Sequence, residues 1–266
     1  MFARQMPDVK HHMLVVDNAL PVGHISELGR DVELIGGSNS DWEFSAWDSG
    51  IDHIGERLHE YDLVHLATSA FREFTPDHLK LIDSRVVGFL QSLQAALGHI
   101  DFYNEPVSLL GIQSQAWLRS SFILMPPKHL KALGSLVSVS SDSPIFSGNP
   151  RAPFRDDAPV SEVYKRLLLR WLTGDGTGQG VAWHSRFDLT REALPFFENK
   201  ARAILNEQML TNRLLANGCE IVDATWLAGK ARRRRSGSRG DIPDWRVQIT
   251  PRIGPDLAIT LSRHKG

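Results

Sequence analysis

Met13-Leu14-Val15-Val16 ends at Asp17-Asn18, and Val32-Glu33-Leu34-Ile35 ends at Gly36-Gly37. Each is a short apolar run halted by residues that favour loops, the pattern of a strand covered on both faces. A third run, Leu63-Val64-His65-Leu66-Ala67, ends at Thr68-Ser69. Between the second and third runs, Trp47, Ile51, Ile54 and Leu58 recur at helical spacing. Ser40-Asp41-Trp42-Glu43 opens this helix with serine and glutamate spaced as a capping box, each side chain able to satisfy the other's amide. Strand, helix and strand of these lengths predict a parallel crossover unit, and so an α/β fold with a mostly parallel sheet flanked by helices.

The pattern continues outward from this unit. Thr75-Pro76-Asp77 starts a helix with proline in its first turn, with Val86, Phe89, Leu90, Leu93 and Leu97 on its inner face and Gly98 as its stop. Residues 117–125 read as a strand, and Pro126-Pro127 primes a helix over 128–133. Serine, proline, glycine and aspartate over 134–159 predict an extended loop, and helices over 160–172 and 192–217 follow, separated by the glycine-rich stretch 174–180. The chain of 266 residues carries a net charge of -1, so no global field draws it to nucleic acid. Its one cysteine, Cys219, excludes an internal disulfide framework and a cysteine-based zinc site. No apolar run reaches the roughly 18 residues that a membrane span needs. The start, Met1-Phe2-Ala3-Arg4-Gln5, lacks the apolar core of a secretory signal, and the expected location is the cytoplasm.

Ligands of open α/β sheets bind beyond the carboxyl ends of parallel strands. That rule makes Asp17-Asn18, residues 36–39 and Thr68-Ser69 neighbours on one rim and a candidate nucleotide site, although every α/β protein has polar strand ends. The second candidate is Glu207, within Asn206-Glu207-Gln208-Met209-Leu210, on a helix whose apolar residues occur on most sides and which stops at Gly218. A carboxylate on a buried helix needs either a partner or a chemical task, because burying the ion is costly. An ion pair with Lys200, Arg202 or Arg213 is the structural alternative.

The order of these motifs resembles that of family-two glycosyltransferases with the GT-A fold. Val15-Val16-Asp17-Asn18 is similar to the family's valine-aspartate-asparagine strand end. Gly37-Ser38-Asn39 followed by Ala46-Trp47-Asp48-Ser49-Gly50-Ile51 is similar to its asparagine-glycine turn and alanine-x-asparagine-x-glycine helix. Phe122-Ile123-Leu124-Met125 and the helix to Leu133-Gly134 resemble the elements before the acceptor region, and Asn206-Glu207 with Arg213-Leu214 and Gly218 resembles the acidic motif that supplies the base. The likeness spans residues 15–222 and is greatest to bacterial enzymes that build O-antigen, rhamnan and capsular polysaccharide.

This resemblance implies a Rossmann-like GT-A domain over residues 1–229 with a helical acceptor-side insertion, followed by a basic extension over 230–266. It implies an inverting transferase that moves a sugar from a nucleotide-sugar donor to a surface-polysaccharide or lipid-linked glycan acceptor. Glu207 would be the general base. Asp17, Asn18, Asn39, Asp48, Thr68 and Ser69 would contact the donor, and Arg119, Trp183 and His184 would serve the acceptor or the diphosphate. Two departures stand out. The position of the family's Asp-x-Asp metal signature carries Ala67-Thr68-Ser69-Ala70, and hydroxyls are poor magnesium or manganese ligands. No metal ligand is therefore assigned, and Arg72, Arg119, Lys128 and Lys200 are the candidates to neutralise a leaving diphosphate. The family's first strand and helix also have no counterpart ahead of Val15, where only residues 1–12 precede the run.

The remaining features are read more plainly. His11-His12 point apart on extended backbone, Asp156-Asp157 is an acceptor-side acid pair or metal site or, as its proline-flanked loop favours, a solvated turn, and Trp117 is a core residue or a sugar platform. Lys230-Ala231-Arg232-Arg233-Arg234-Arg235, with Arg239, is either a solvated linker or a contact with an anionic membrane surface. The rival to an enzyme is a non-catalytic glycosyltransferase-like subunit that binds a partner enzyme or glycan; an arginine-tailed RNA-associated protein is the weaker third reading, since no aromatic residues interleave the basic ones.

Overall fold

The computed structural model describes residues 6–69, 80, 82–174, 186–233 and 241–253. The protein is α/β, with two mixed sheets flanked by helices. The first sheet holds β1 (Met13–Asp17), β2 (Ile25–Gly29) and β3 (Val32–Gly36) in the order β1-β3-β2. β1 runs parallel to β3, with Val16 opposite Ile35, as the two apolar runs predict. β2 was not foreseen. It forms a hairpin with β3 around Arg30-Asp31, where Asp31 takes a left-handed conformation at φ 62°. Helix α1 (Trp42–Ile54) then packs on β1, bringing Gly50 against Val16 and Leu14.

The second sheet corrects the expectation of a mostly parallel arrangement. β4 (Val64–Ala67) is a strand as predicted, but it does not join β1 and β3 in parallel. It pairs antiparallel with β6 (Ile112–Met125), which pairs antiparallel with β5 (Ala96–Leu109), and only β7 (Ile221–Asp223) lies parallel, beside β5. The order is β4-β6-β5-β7. The cause is a hairpin too tight to allow a crossover: β5 turns into β6 through Leu110-Gly111, at φ 50° and 80°. Two consecutive positive φ values match the strand twist of a two-residue hairpin.

The apolar period places the early part of β5, Leu97 and Gly98, at the end of a helix. That helix, α2 (Ser84–Leu93), is capped by the Asp83 carboxylate, which accepts from Val86 N at 3.0 Å. It ends at Gln94, itself left-handed at φ 58°, so Leu97 and Gly98 belong to β5. Gly98 is needed there for a different reason. A Cβ would stand 2.9 Å from the Phe122 carbonyl oxygen of β6.

The later helices follow the apolar period. They are α3 (Pro127–Leu133), α4 (Glu162–Thr173), the 23-residue α5 (Leu194–Ala216), α6 (Ala224–Arg233) and α7 (Trp245–Ile253). α5 ties two cores together. Its first half, with Phe197, Ala201 and Leu205, packs with α4 and the hairpin end of β5 and β6, while Leu210 and Leu214 join the core that α1 and α3 cover. A third cluster, under α2 and α6, covers the opposite face.

Residues 241–253, grouped with the basic extension in the sequence reading, are part of the packed fold. Ile249 is fully buried, and the Gln248 side chain accepts from Asp223 N and donates to the Ile221 carbonyl. Arg252 reaches the buried Asp223 carboxylate at 2.9 Å. Among the described residues, no helix is long and apolar enough to cross a membrane.

Candidate functional site

The site is built where α5 runs along an irregularity in β6. Between the pairs Ile100–Leu118 and Gly98–Ile123, β6 has four residues where β5 has one. The surplus lifts Arg119, Ser120 and Ser121 out of the ladder, a distortion that commonly redirects side chains next to functional sites. Two amides on this stretch turn to α5 instead of a neighbouring strand. Leu118 N donates to Thr211 Oγ1 at 2.9 Å, and Ser120 N donates to Glu207 Oε1 at 2.5 Å.

Glu207 is half-buried, and the three cations that could have paired with it are engaged elsewhere. Arg213 donates to Ser138 Oγ and the Leu133 carbonyl, Arg202 to Asn199, and Lys200 lies 5.2 Å over the Trp42 ring. The structural alternative of an ion pair is therefore not what holds this carboxylate. Burial raises its pKa above the ordinary glutamate value, and the nearby charges of Glu43 and Asp101 raise it further, against the lowering effect of the hydrogen bonds from Ser120.

Two more acids complete the cluster, neither expected at the site: Glu43 reads in the sequence only as a cap, and Asp101 carries no signal there. Asp101, on β5, accepts from Arg119 Nε at 2.6 Å and has His99 Nε2 at 3.8 Å. Burial opposes the Arg119 charge, but Asp101 and Glu207 outweigh it and hold the guanidinium protonated. Glu43 comes from the first turn of α1. The capping box predicted for it does not form: Asp41 occupies the N-cap without a side-chain bond to the helix, Ser40 bonds Ser38, and Glu43 Oε1 instead accepts from Ser120 Oγ at 3.2 Å. Trp42, left-handed at φ 54°, bends the chain into the helix at this point.

The rim residues divide. Asn18 and Asn39 are brought together, with Asn18 Nδ2 donating to Asn39 Oδ1 at 3.2 Å and to the Trp42 carbonyl at 3.3 Å, next to Glu43. Gly37 is required beneath them, since a Cβ would meet Asn18 Oδ1 at 2.5 Å. Asp17 is exposed and folds onto its own turn, accepting from Ala19 N at 2.8 Å. Asp48 does not line the rim. Its carboxylate accepts from Ser135 Oγ at 2.6 Å and Leu136 N at 2.7 Å, because position 48 lies on the flank of α1 that meets the corner after α3. Thr68 and Ser69 leave β4 just past the Ala67–Phe122 pair, so the strand runs on towards Ser121 and Ser120 of the irregular stretch. Near the rim, Ser40, Asp41, Trp42, Asn199, Arg202, Ala203 and Asn206 line a small recess with room for no more than about one water molecule.

Other candidates lie apart or serve structure. Trp183, His184, Arg72, Arg234, Arg235 and Arg239 fall outside the described residues. Trp117 is buried against Tyr103. Lys128 is exposed at the start of α3, in the field of Cys219. Asp157 pairs with Arg155 on the surface, His12 meets Glu33 and Tyr61, and His11 meets the Met6 carbonyl. Arg232 and Arg233 are exposed at the end of α6, where Lys230 lies over Trp226. Among the described residues, no three histidine, cysteine, aspartate or glutamate side chains converge as metal ligands.

No family model, curated protein or solved structure matches this chain.

Proposed function

We propose that the protein is an inverting glycosyltransferase with a GT-A-like domain, transferring a sugar from a nucleotide-sugar donor to a surface-polysaccharide or lipid-linked glycan acceptor. The observation that carries this reading is Glu207. It is a carboxylate held by a backbone amide rather than a cation, with its proton affinity raised by burial, beside a polar rim. A general base for a hydroxyl needs this combination of fixed position and a pKa brought towards neutrality.

In the proposed reaction the acceptor hydroxyl gives its proton to Glu207 and its oxygen attacks the anomeric carbon. The bond from that carbon to the donor phosphate breaks on the opposite side, which inverts the configuration. Asn18 and Asn39 would hold the nucleotide, and Thr68 and Ser69 would approach the diphosphate. Arg119 engages Asp101 through Nε, which leaves its terminal nitrogens to meet the developing phosphate charge. Exposed Arg232 and Arg233 would suit a peripheral approach to an anionic membrane carrying the lipid-linked acceptor.

The test is Glu207→Gln, which keeps size and the acceptor atom for Ser120 N but cannot take a proton. Screened against nucleotide sugars, the wild-type protein should transfer sugar, and the variant should be slower by about two orders of magnitude or more with an unchanged fold. Transfer at the parent rate would remove Glu207 from the chemistry. Failure of the wild-type protein to bind any nucleotide or nucleotide sugar would favour a non-catalytic subunit, the reading that the hydroxyls of Thr68 and Ser69 support.

A further inference from the structure

His99 occupies the break in β5 opposite the irregular stretch of β6. It is the single residue between the pairs Gly98–Ile123 and Ile100–Leu118, so its ring can shift without parting the ladder on either side. One ring nitrogen faces two charged groups. Nε2 stands 2.9 Å from Arg252 Nη1 on α7 and 3.8 Å from Asp101 Oδ1 on β5. A guanidinium can only donate, so Nε2 accepts, and the neutral ring carries its proton on Nδ1. The side chains of His99, Asp101 and Arg252 are 16%, 19% and 19% exposed, so solvent screens their charges weakly.

We propose that His99 is a proton-operated switch between α7 and the acid cluster: neutral, it accepts from Arg252; protonated, it releases Arg252 and donates to Asp101. A proton on Nε2 would set two cationic donors face to face at 2.9 Å, where they repel. The same proton offers Asp101 Oδ1 a charge-assisted donor, which a turn of the ring brings from 3.8 Å into hydrogen-bond range. Among the described residues, the charged groups that face the ring are Asp101 from β5 and Arg252 from α7. Behind them stand Asp223 from β7, paired with Arg252 at 2.9 Å, and Arg119 from β6, bonded to Asp101 at 2.6 Å, with Glu207 of α5 in the field of Arg119. Released by His99, Arg252 keeps Asp223 and the Ile100 carbonyl, so α7 loosens rather than detaches. At the other end, Asp101 is then shared between His99 and Arg119, and the guanidinium beside Glu207 is held less firmly. Histidine is the side chain that changes charge in the physiological range, so acidification is the signal.

The experiment is a pH titration of the full chain by NMR, with ¹⁵N in the histidine rings, ¹³C at the aspartate carboxyls, and both residues assigned through their backbones. Above the midpoint of the His99 ring, His99 should show its proton on Nδ1, the less common arrangement of a neutral imidazole in water. On acidification the Asp101 carboxyl signal should shift at that same midpoint. His99→Gln keeps a neutral acceptor for Arg252 but cannot take the proton, and it should lose the step. Protection of the α7 amides from hydrogen exchange, corrected for the intrinsic effect of pH, should fall across the midpoint in the wild type and stay constant in the variant. A neutral His99 with its proton on Nε2 overturns the proposal, and so does an Asp101 signal or an α7 protection that passes the midpoint unmoved. If His99→Gln does not fold, the wild-type midpoints decide: agreement between His99 and Asp101 supports the switch, and disagreement overturns it. The readout needs no turnover, so it holds or fails independently of Glu207 as a base.

Discussion

Asn206 and Glu207 are chain neighbours with separate tasks. The Asn206 amide is wholly structural: its oxygen accepts from Ser138 N at 2.8 Å and Val139 N at 2.7 Å, and its nitrogen donates to the Val139 carbonyl at 2.9 Å, which pins the long loop after α3 to α5. Glu207, turned to β6, accepts from the Ser120 amide and lies within the field of the Arg119 charge. Its pKa is raised in the fold, so the native state binds that proton more tightly than the unfolded chain. The sign of the linkage follows: native stability is greatest below the unfolded glutamate value and declines as pH rises from there through the raised folded value. Glu207→Gln removes this dependence. Its melting temperature should gain on the wild type as pH rises through that window, and thermal melts at several pH values read the difference directly. A constant difference would mean that the carboxylate is not penalised by burial. Glu207 could be found from sequence because an acid on an apolar helix is conspicuous. Glu43 could not, because a glutamate three residues after Ser40 has a ready local explanation as a cap. Asp101 was hidden for a different reason: it sits on a strand that had not been recognised.

At the scale of elements, helical period was the dependable signal. Trp47, Ile51, Ile54 and Leu58 all pack into the core that α1 covers, and α3, α4 and α5 lie where apolar spacing puts them. Hairpins were the blind spot. Leu110 takes the left-handed conformation usually reserved for asparagine, aspartate or glycine, so Leu110-Gly111 carries little turn signal, and β5 passed for the end of a helix. Leu110 is held there by its amide, which donates to the Pro159 carbonyl at 2.7 Å, and by apolar packing. Parallel pairing was legible only for β1 and β3, whose glycine stop also proves structural. A Cβ on Gly36 would lie 1.9 Å from the Pro21 carbonyl oxygen, too close without moving the backbone of the loop between β1 and β2. Gly36→Ala should therefore lower stability by about 1–3 kcal/mol, the usual effect of overpacking. Urea unfolding measures it, and an unchanged midpoint would show that this loop yields freely.

At the scale of the whole molecule, the C-terminal part of the described chain closes the sheet rather than trailing from it. Asp223 is the junction: its carboxylate accepts from Ile100 N at 3.2 Å and Thr225 N at 3.0 Å and pairs with Arg252, joining β5, β7, α6 and α7. Arg252→Met would leave that buried acid without its cation and should cost about 3–5 kcal/mol. A melting temperature within a degree of wild type would contradict this account. Composition hid the closure, because the basic run after Gly229 reads as solvated tail while the buried Gln248 and Ile249 follow it. The two bonds from β6 to α5 have a consequence of their own. Glu207 and Thr211 are four helical residues apart, a rise of about 6 Å, and their donors Ser120 and Leu118 are two strand residues apart, about 6.7 Å. Two scales with nearly equal graduations agree at one setting only, as on a vernier. The long helix is thereby indexed against the sheet, and sliding it by a single residue would lose both bonds together. The axial position of Glu207 is thus gauged from outside the cluster of acids it belongs to.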